Sequence, residues 1–204
     1  MIIDLLQIFL FFILPVILLY FNIVPVKYRI SVLALVSVVI LWIVIQEKWT
    51  LENLGIRIDN FSQTTTPYVV FTIFGVGAII ALAKYFHRKP LDNWWTKAHF
   101  LFLFIPISIL QEFTFRGFLM PKLEVIFISP VLVILINSLL FSFIHIIYPN
   151  LKLLLPIAFL GGFGLAGMYY FYPNLILISL AHMALNFVAV LYQFFTFPQI
   201  EKSI

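Results

Sequence analysis

Six stretches of this chain contain no Asp, Glu, Lys or Arg: 5–26, 30–46, 60–83, 98–111, 125–151 and 153–200. A soluble domain needs charge spread over its whole surface to stay dissolved. Ionic residues confined to short islands cannot supply it. Composition agrees: 64% of residues are hydrophobic and 10% charged, against about 25% charged in an ordinary soluble domain. Mean hydropathy is +1.14. Soluble, disordered and nucleic-acid-binding classes are excluded, and no nucleic-acid partner is expected. The net charge of +4 reads instead as Lys and Arg gathered at the ends of membrane helices. Cys is absent, which removes disulfides, thiolate metal sites and cysteine nucleophiles.

A helix needs about 20 residues to cross the hydrocarbon core. The run 153–200 must therefore hold two helices, with the break at the turn signal Tyr172-Pro173-Asn174. The runs are continuous rather than alternating, which selects helices over a β-barrel. The expectation is an all-α, polytopic membrane bundle of about seven transmembrane helices, near 4–23, 29–46, 66–85, 98–120, 129–148, 152–171 and 174–195, in one domain over 1–204. Pro106 or Pro121 should interrupt or extend the fourth helix, because proline removes a backbone donor. The first run lacks the basic start and small-residue cleavage site of a secretory signal, so it reads as a retained helix.

Alternating helices put Lys27, Arg29, Lys84, Arg88, Lys89, Lys97, Lys152 and Lys202 on one side, and Lys48, Arg57 and Lys122 on the other. The richer side is expected in the cytoplasm, with the N-terminus outside and the C-terminus cytoplasmic. Trp94 and Trp95 beside Lys97 read as an interfacial belt. The absent Cys and the lack of a eukaryotic targeting signal fit a bacterial inner (plasma) membrane, with membrane lipids as the first partners.

Most acids lie at run ends or in loops; Glu112 sits deep in the fourth helix. A carboxylate there costs about 2.5–3.5 kcal/mol on insertion scales. Arg116, four residues on, shares its face, while Gln111 points to a neighbouring face. His145 closes Phe141-Ser142-Phe143-Ile144-His145, and His182 and Asn186 share one face of the last helix. Taken singly, each His reads more readily as a hydrogen bonder between helices. Together these groups fall on three helices of an otherwise uncharged core, and intramembrane ionisable groups that can meet mark a functional site by default.

A carboxylate and an imidazole can hold and deprotonate a water. A second imidazole and an amide can donate to an oxyanion, and Arg116 can fix the carboxylate. That kit hydrolyses an amide without a covalent intermediate. Glu112, His145, His182 and Asn186 are expected to line one cavity. Neither G-x-S-x-G nor H-E-x-x-H is present, so nucleophile and zincin readings lack support. No cofactor is expected; a zinc on Glu112, His145 and His182 is chemically admissible but not favoured. Gly161-Gly162-Phe163-Gly164-Leu165-Ala166-Gly167 reads as close helix packing.

Gln111-Glu112-x-x-x-Arg116-Gly117, Phe141-x-x-x-His145 and His182-x-x-x-Asn186 resemble, in order and placement, the three motifs of the CAAX protease and bacteriocin-processing (CPBP, or Abi) membrane family. Gly162, Gly167, Tyr169 and Leu54-Gly55-Ile56 are also similar, and the resemblance covers about 50–190. It implies a glutamate-dependent intramembrane endopeptidase fold, with His145 as water partner and His182 and Asn186 as oxyanion donors. It also implies a peptide or protein substrate, prenylated or a leader peptide. Bacterial relatives are linked to bacteriocin maturation or self-immunity. The family's first motif usually begins with two Glu, the first assigned to water activation; here that position is Gln111. Either Glu112 takes over, or the fold persists as a non-catalytic immunity or scaffold protein.

Overall fold

The computed structural model describes residues 1–96 and 98–195, so Lys97, Glu201 and Lys202 lie outside the described residues. Seven helical rods follow one another, and no strand occurs among the described residues. They are α1 (Ile2–Tyr20), α2 (Arg29–Gln46), α3 (Phe61–Tyr85), α4 (98–126), α5 (Pro130–Phe143, continued by a 3-10 turn Ile144–Ile147), α6 (Leu151–Phe171) and α7 (Leu175–Leu191). Among the described residues, five rods have both the length and the hydropathy to cross a membrane: α1, α2, α3, α5 with its turn, and α6. The chain is an integral membrane helical bundle. At 17 residues α7 is shorter, roughly 26 Å against a hydrocarbon core of about 30 Å.

α4 is the central rod. Phe115, Phe118, Leu119, Met120 and Leu123 are each at most 2% exposed, as befits a helix apolar on every side. α3 lies outermost, with Ile73 68% and Phe74 80% exposed. α5 packs on α6, and both α3 and α4 pack on α7.

Pro106 passes without a break inside Ala98–Glu112, whereas α4 runs past its expected end through Met120–Ile126. Between them Phe113–Leu119 forms a π-helical turn, directly before Pro121. α1 repeats the pattern, with a π turn Phe9–Ile13 ahead of Pro15. A proline ring clashes with the carbonyl four residues back and offers that carbonyl no donor. Widening the preceding turn gives the carbonyls other partners, and one extra residue rotates everything that follows.

The ends are tied by polar contacts. At one end the 47–60 loop folds back on the α6–α7 turn. Leu175 N donates to Gly55 O at 2.7 Å, Asn174 Nδ2 to Arg57 O at 2.9 Å, and Tyr169 Oη to Leu54 O at 3.1 Å. Gly55 is required here: its φ is +72°, and a Cβ would lie 2.1 Å from the Tyr169 hydroxyl. Asn174 also caps α7, accepting from Leu177 N at 2.9 Å. Lys122, expected as a loop charge, is instead buried and bridges Asp4 (3.2 Å) and Glu47 (2.9 Å), joining α1, α2 and α4. At the other end Arg88 donates to Gln193 O, Leu91 N donates to Leu191 O, and Arg29 lies over the Tyr148 ring. The loops thus share ends in the alternating order the charges suggested. Trp94 packs edge-on to Phe187 of α7, leaving only Trp95 of the expected belt strongly exposed.

Candidate active site

Ser108 and Glu112 share one face of α4, and His182 and Asn186 share one face of α7, because residues four apart stack. Running antiparallel, the two faces meet in two rungs. His182 Nδ1 donates to Glu112 Oε1 at 2.5 Å, and Asn186 Nδ2 donates to Ser108 Oγ at 3.0 Å. Arg116 Nη1 reaches the same Glu112 oxygen at 3.2 Å. Its Nη2 donates to Gly162 O at 3.0 Å, and its guanidinium lies 4.8 Å from the Phe141 ring centroid. A Cβ on Gly162 would sit 2.8 Å from Phe141, so only glycine lets α6 bring that carbonyl to Arg116. Gly164 is similarly tight against Phe71, whereas a Cβ on Gly161 or Gly167 would meet nothing within 4 Å. The small-residue packing expected of this stretch is therefore carried by Gly162 and Gly164.

Glu112 and Arg116 are 0% exposed. Each keeps one buried atom without a hydrogen-bond partner among the described residues, Glu112 Oε2 and Arg116 Nε. Removing one member of such a pair strands the other charge, at a cost of about 3–5 kcal/mol.

A cavity of about 100 Å³ lies on the other side of α4, between α1, α2 and the 144–147 turn, and Gln111 and His145 both line it. The two π turns help build it, supplying Phe11 and Phe12 from α1 and Thr114 and Phe115 from α4. His145 Nδ1 bonds Phe141 O at 2.9 Å. A carbonyl only accepts, so Nδ1 carries the proton and Nε2 of the neutral ring keeps a lone pair.

The expectation of one shared cavity is therefore corrected. Glu112, His182 and Asn186 do not line the cavity that holds His145. Adjacent helical residues point about 100° apart, so α4 turns Glu112 to α7 and Gln111 to the cavity. The Phe141 ring stands between the halves, 5.3 Å from the His145 ring and 5.6 Å from the His182 ring, centroid to centroid. Among the described residues no three His, Asp or Glu side chains group as metal ligands. Glu112 Oε1 is committed to Arg116 and His182 instead.

Three features were missed from sequence: Ser108 as partner of Asn186, the Gly162 carbonyl as partner of Arg116, and Phe141 as a partition. Ser108 was findable, since it precedes Glu112 by four residues as His182 precedes Asn186.

A helical membrane bundle with a buried Glu–Arg–His cluster and an intramembrane His facing a cavity defines the class. Residues 93–188, just under half of the chain, match the family model described as Rce1-like, type II CAAX prenyl endopeptidase Rce1-like. That segment carries all three motifs, and over it the chain is similar to the CAAX protease family, a family of proteases. No curated protein and no solved structure matches the chain.

Proposed function

We propose that the chain is a CAAX-type intramembrane endopeptidase in which His145, rather than a carboxylate, activates the water. The observation that carries this reading is the shared cavity: His145 and Gln111 line it, and the Nδ1 bond to Phe141 O leaves Nε2 as the basic atom. In this reading the Gln111 amide orients the water and His145 Nε2 takes its proton. The hydroxide oxygen bonds to the scissile carbonyl carbon, and the carbonyl becomes an oxyanion. The C–N bond then breaks as its nitrogen receives the proton from His145, leaving a carboxylic acid and an amine.

Asn186 retains a second amide N–H beyond the one given to Ser108, and it is the donor assigned to the oxyanion. Phe141 swings aside to join the two halves when substrate binds. Glu112 and Arg116 set the position of His182. The substrate is a membrane-associated peptide, prenylated or leader-type, and the Arg88 end faces the cytoplasm.

A second reading, a non-catalytic membrane protein of the same fold, is favoured by the amide at Gln111 and by the Phe141 partition. Cleavage of prenylated and leader-type peptides by the purified full chain, read by mass spectrometry, separates the two. The first reading expects wild-type cleavage that His145→Ala reduces. Wild-type binding without cleavage, with turnover appearing only in Gln111→Glu, establishes the second.

A further inference from the structure

The cavity runs beyond Gln111 and His145 toward the end of the bundle that carries Arg29. Pro15, Val16, Leu19, Leu33 and Val36 wall that stretch. On α2 the lining extends from Arg29 to Val36, roughly 10 Å along the axis. Everything between is apolar except at the two ends, where Arg29 and Tyr148 close one and Gln111, Thr114 and His145 the other. The Arg29 end is also the basic end of the molecule. Lys27, Lys84, Arg88, Lys89 and Lys152 share it, and Asp92 is the one acid there among the described residues.

We infer that this channel holds the headgroup-proximal part of one acyl chain of an anionic phospholipid, with the headgroup phosphate on Arg29. The chain matches the apolar walls, and the phosphate complements a guanidinium set in a basic rim. The second acyl chain stays in the bilayer. The site reports to the cavity centre, because Arg29 lies 5.4 Å from the Tyr148 ring centroid and Tyr148 stacks on His145 at 5.9 Å. A phosphate on Arg29 therefore bears on the stack that positions His145. The inference stands whether or not the chain cleaves peptides.

The test uses the full chain in nanodiscs containing phosphatidylglycerol with a diazirine in one acyl chain. After irradiation, labelled residues are mapped by mass spectrometry. Adducts are expected at Val16, Leu19, Leu33 and Val36. Arg29→Gln should lower them about fivefold, the equivalent of the 1 kcal/mol that a basic residue near the surface adds for an anionic lipid. Phosphatidylcholine with the same photoactive chain should label them to a similarly reduced extent, and Val36→Phe should block them. Labelling confined to outward residues such as Leu35, Val38 and Phe74 overturns the inference. So does cavity labelling that is equal for both lipids and unchanged in Arg29→Gln.

Discussion

Gln111 and Glu112 are neighbours in the chain and occupy opposite worlds in the fold. Glu112 lies in a sealed cluster with Arg116 and His182, all at most 3% exposed. Gln111 faces a cavity that it shares with His145. The sealed cluster has the character of a structural joint, since its charges balance locally and its hydrogen bonds tie α4 to α6 and α7. The cavity has room for a reactant and holds an imidazole with a free lone pair. An ionisable group inside a membrane is thus not a reactive group by that fact alone; what it faces decides.

The largest expected effect falls on the cavity side. His145→Ala should lower peptide cleavage by about 10²–10⁴-fold, the usual contribution of a general base, in initial rates on folded protein. A loss below tenfold breaks the assignment of the base to His145.

The next effect belongs to the sealed side. Glu112→Ala should destabilise the bundle by about 3–5 kcal/mol, because Arg116 is left charged and buried. Unfolding in a denaturing detergent series measures it, and adding Arg116→Met should recover most of the loss. A Glu112→Ala protein as stable as wild type removes the joint from the account.

Gly162→Ala sharpens the boundary between the halves. Its Cβ would press on Phe141, and overpacking of this kind costs about 1–3 kcal/mol. The same detergent unfolding series reads it, and Gly161→Ala, which meets nothing within 4 Å, should be nearly silent.

The smallest effect lies at the end of the bundle. Burial pushes the Glu47 carboxyl up, but the hydrogen bonds and charge of Lys122 outweigh it and hold its pKa below the ordinary value of 4.5. A carboxyl lowered on folding stabilises above its unfolded pKa and loses that contribution as pH falls through the folded value. Melting temperature should therefore drop more steeply below about pH 4.5 in wild type than in Glu47→Gln. Parallel curves remove the Glu47–Lys122 pair from the clamp.

The rods were legible because membrane insertion imposes a coarse rule, and the charge-free runs obey it. The break before α7 was legible too, since Pro173 and Asn174 carry turn and cap chemistry in their side chains. The meeting of Glu112 with Arg116 and His182 followed from the cost of leaving such groups apart in lipid. The division between Gln111 and Glu112 did not follow. It depends on helical phase and on which neighbour packs on which side of α4. The π turn over Phe113–Leu119 then resets the phase of everything after it. Sequence marks that turn only through Pro121, and Pro106, of the same residue type, produces no such turn. Lys122 was misjudged as a loop charge because its acids, Asp4 and Glu47, are distant in the chain.

The most direct test of the division is the cleavage rate of folded Glu112→Gln beside wild type in one peptide assay. The substitution keeps the shape and an acceptor oxygen for Arg116 and His182 while removing any carboxylate base. Wild type is expected to cleave and folded Glu112→Gln to keep its rate within about tenfold, far less than the 10²–10⁴-fold loss of a general base. Abolished cleavage in folded Glu112→Gln, or no cleavage by wild type, contradicts this expectation.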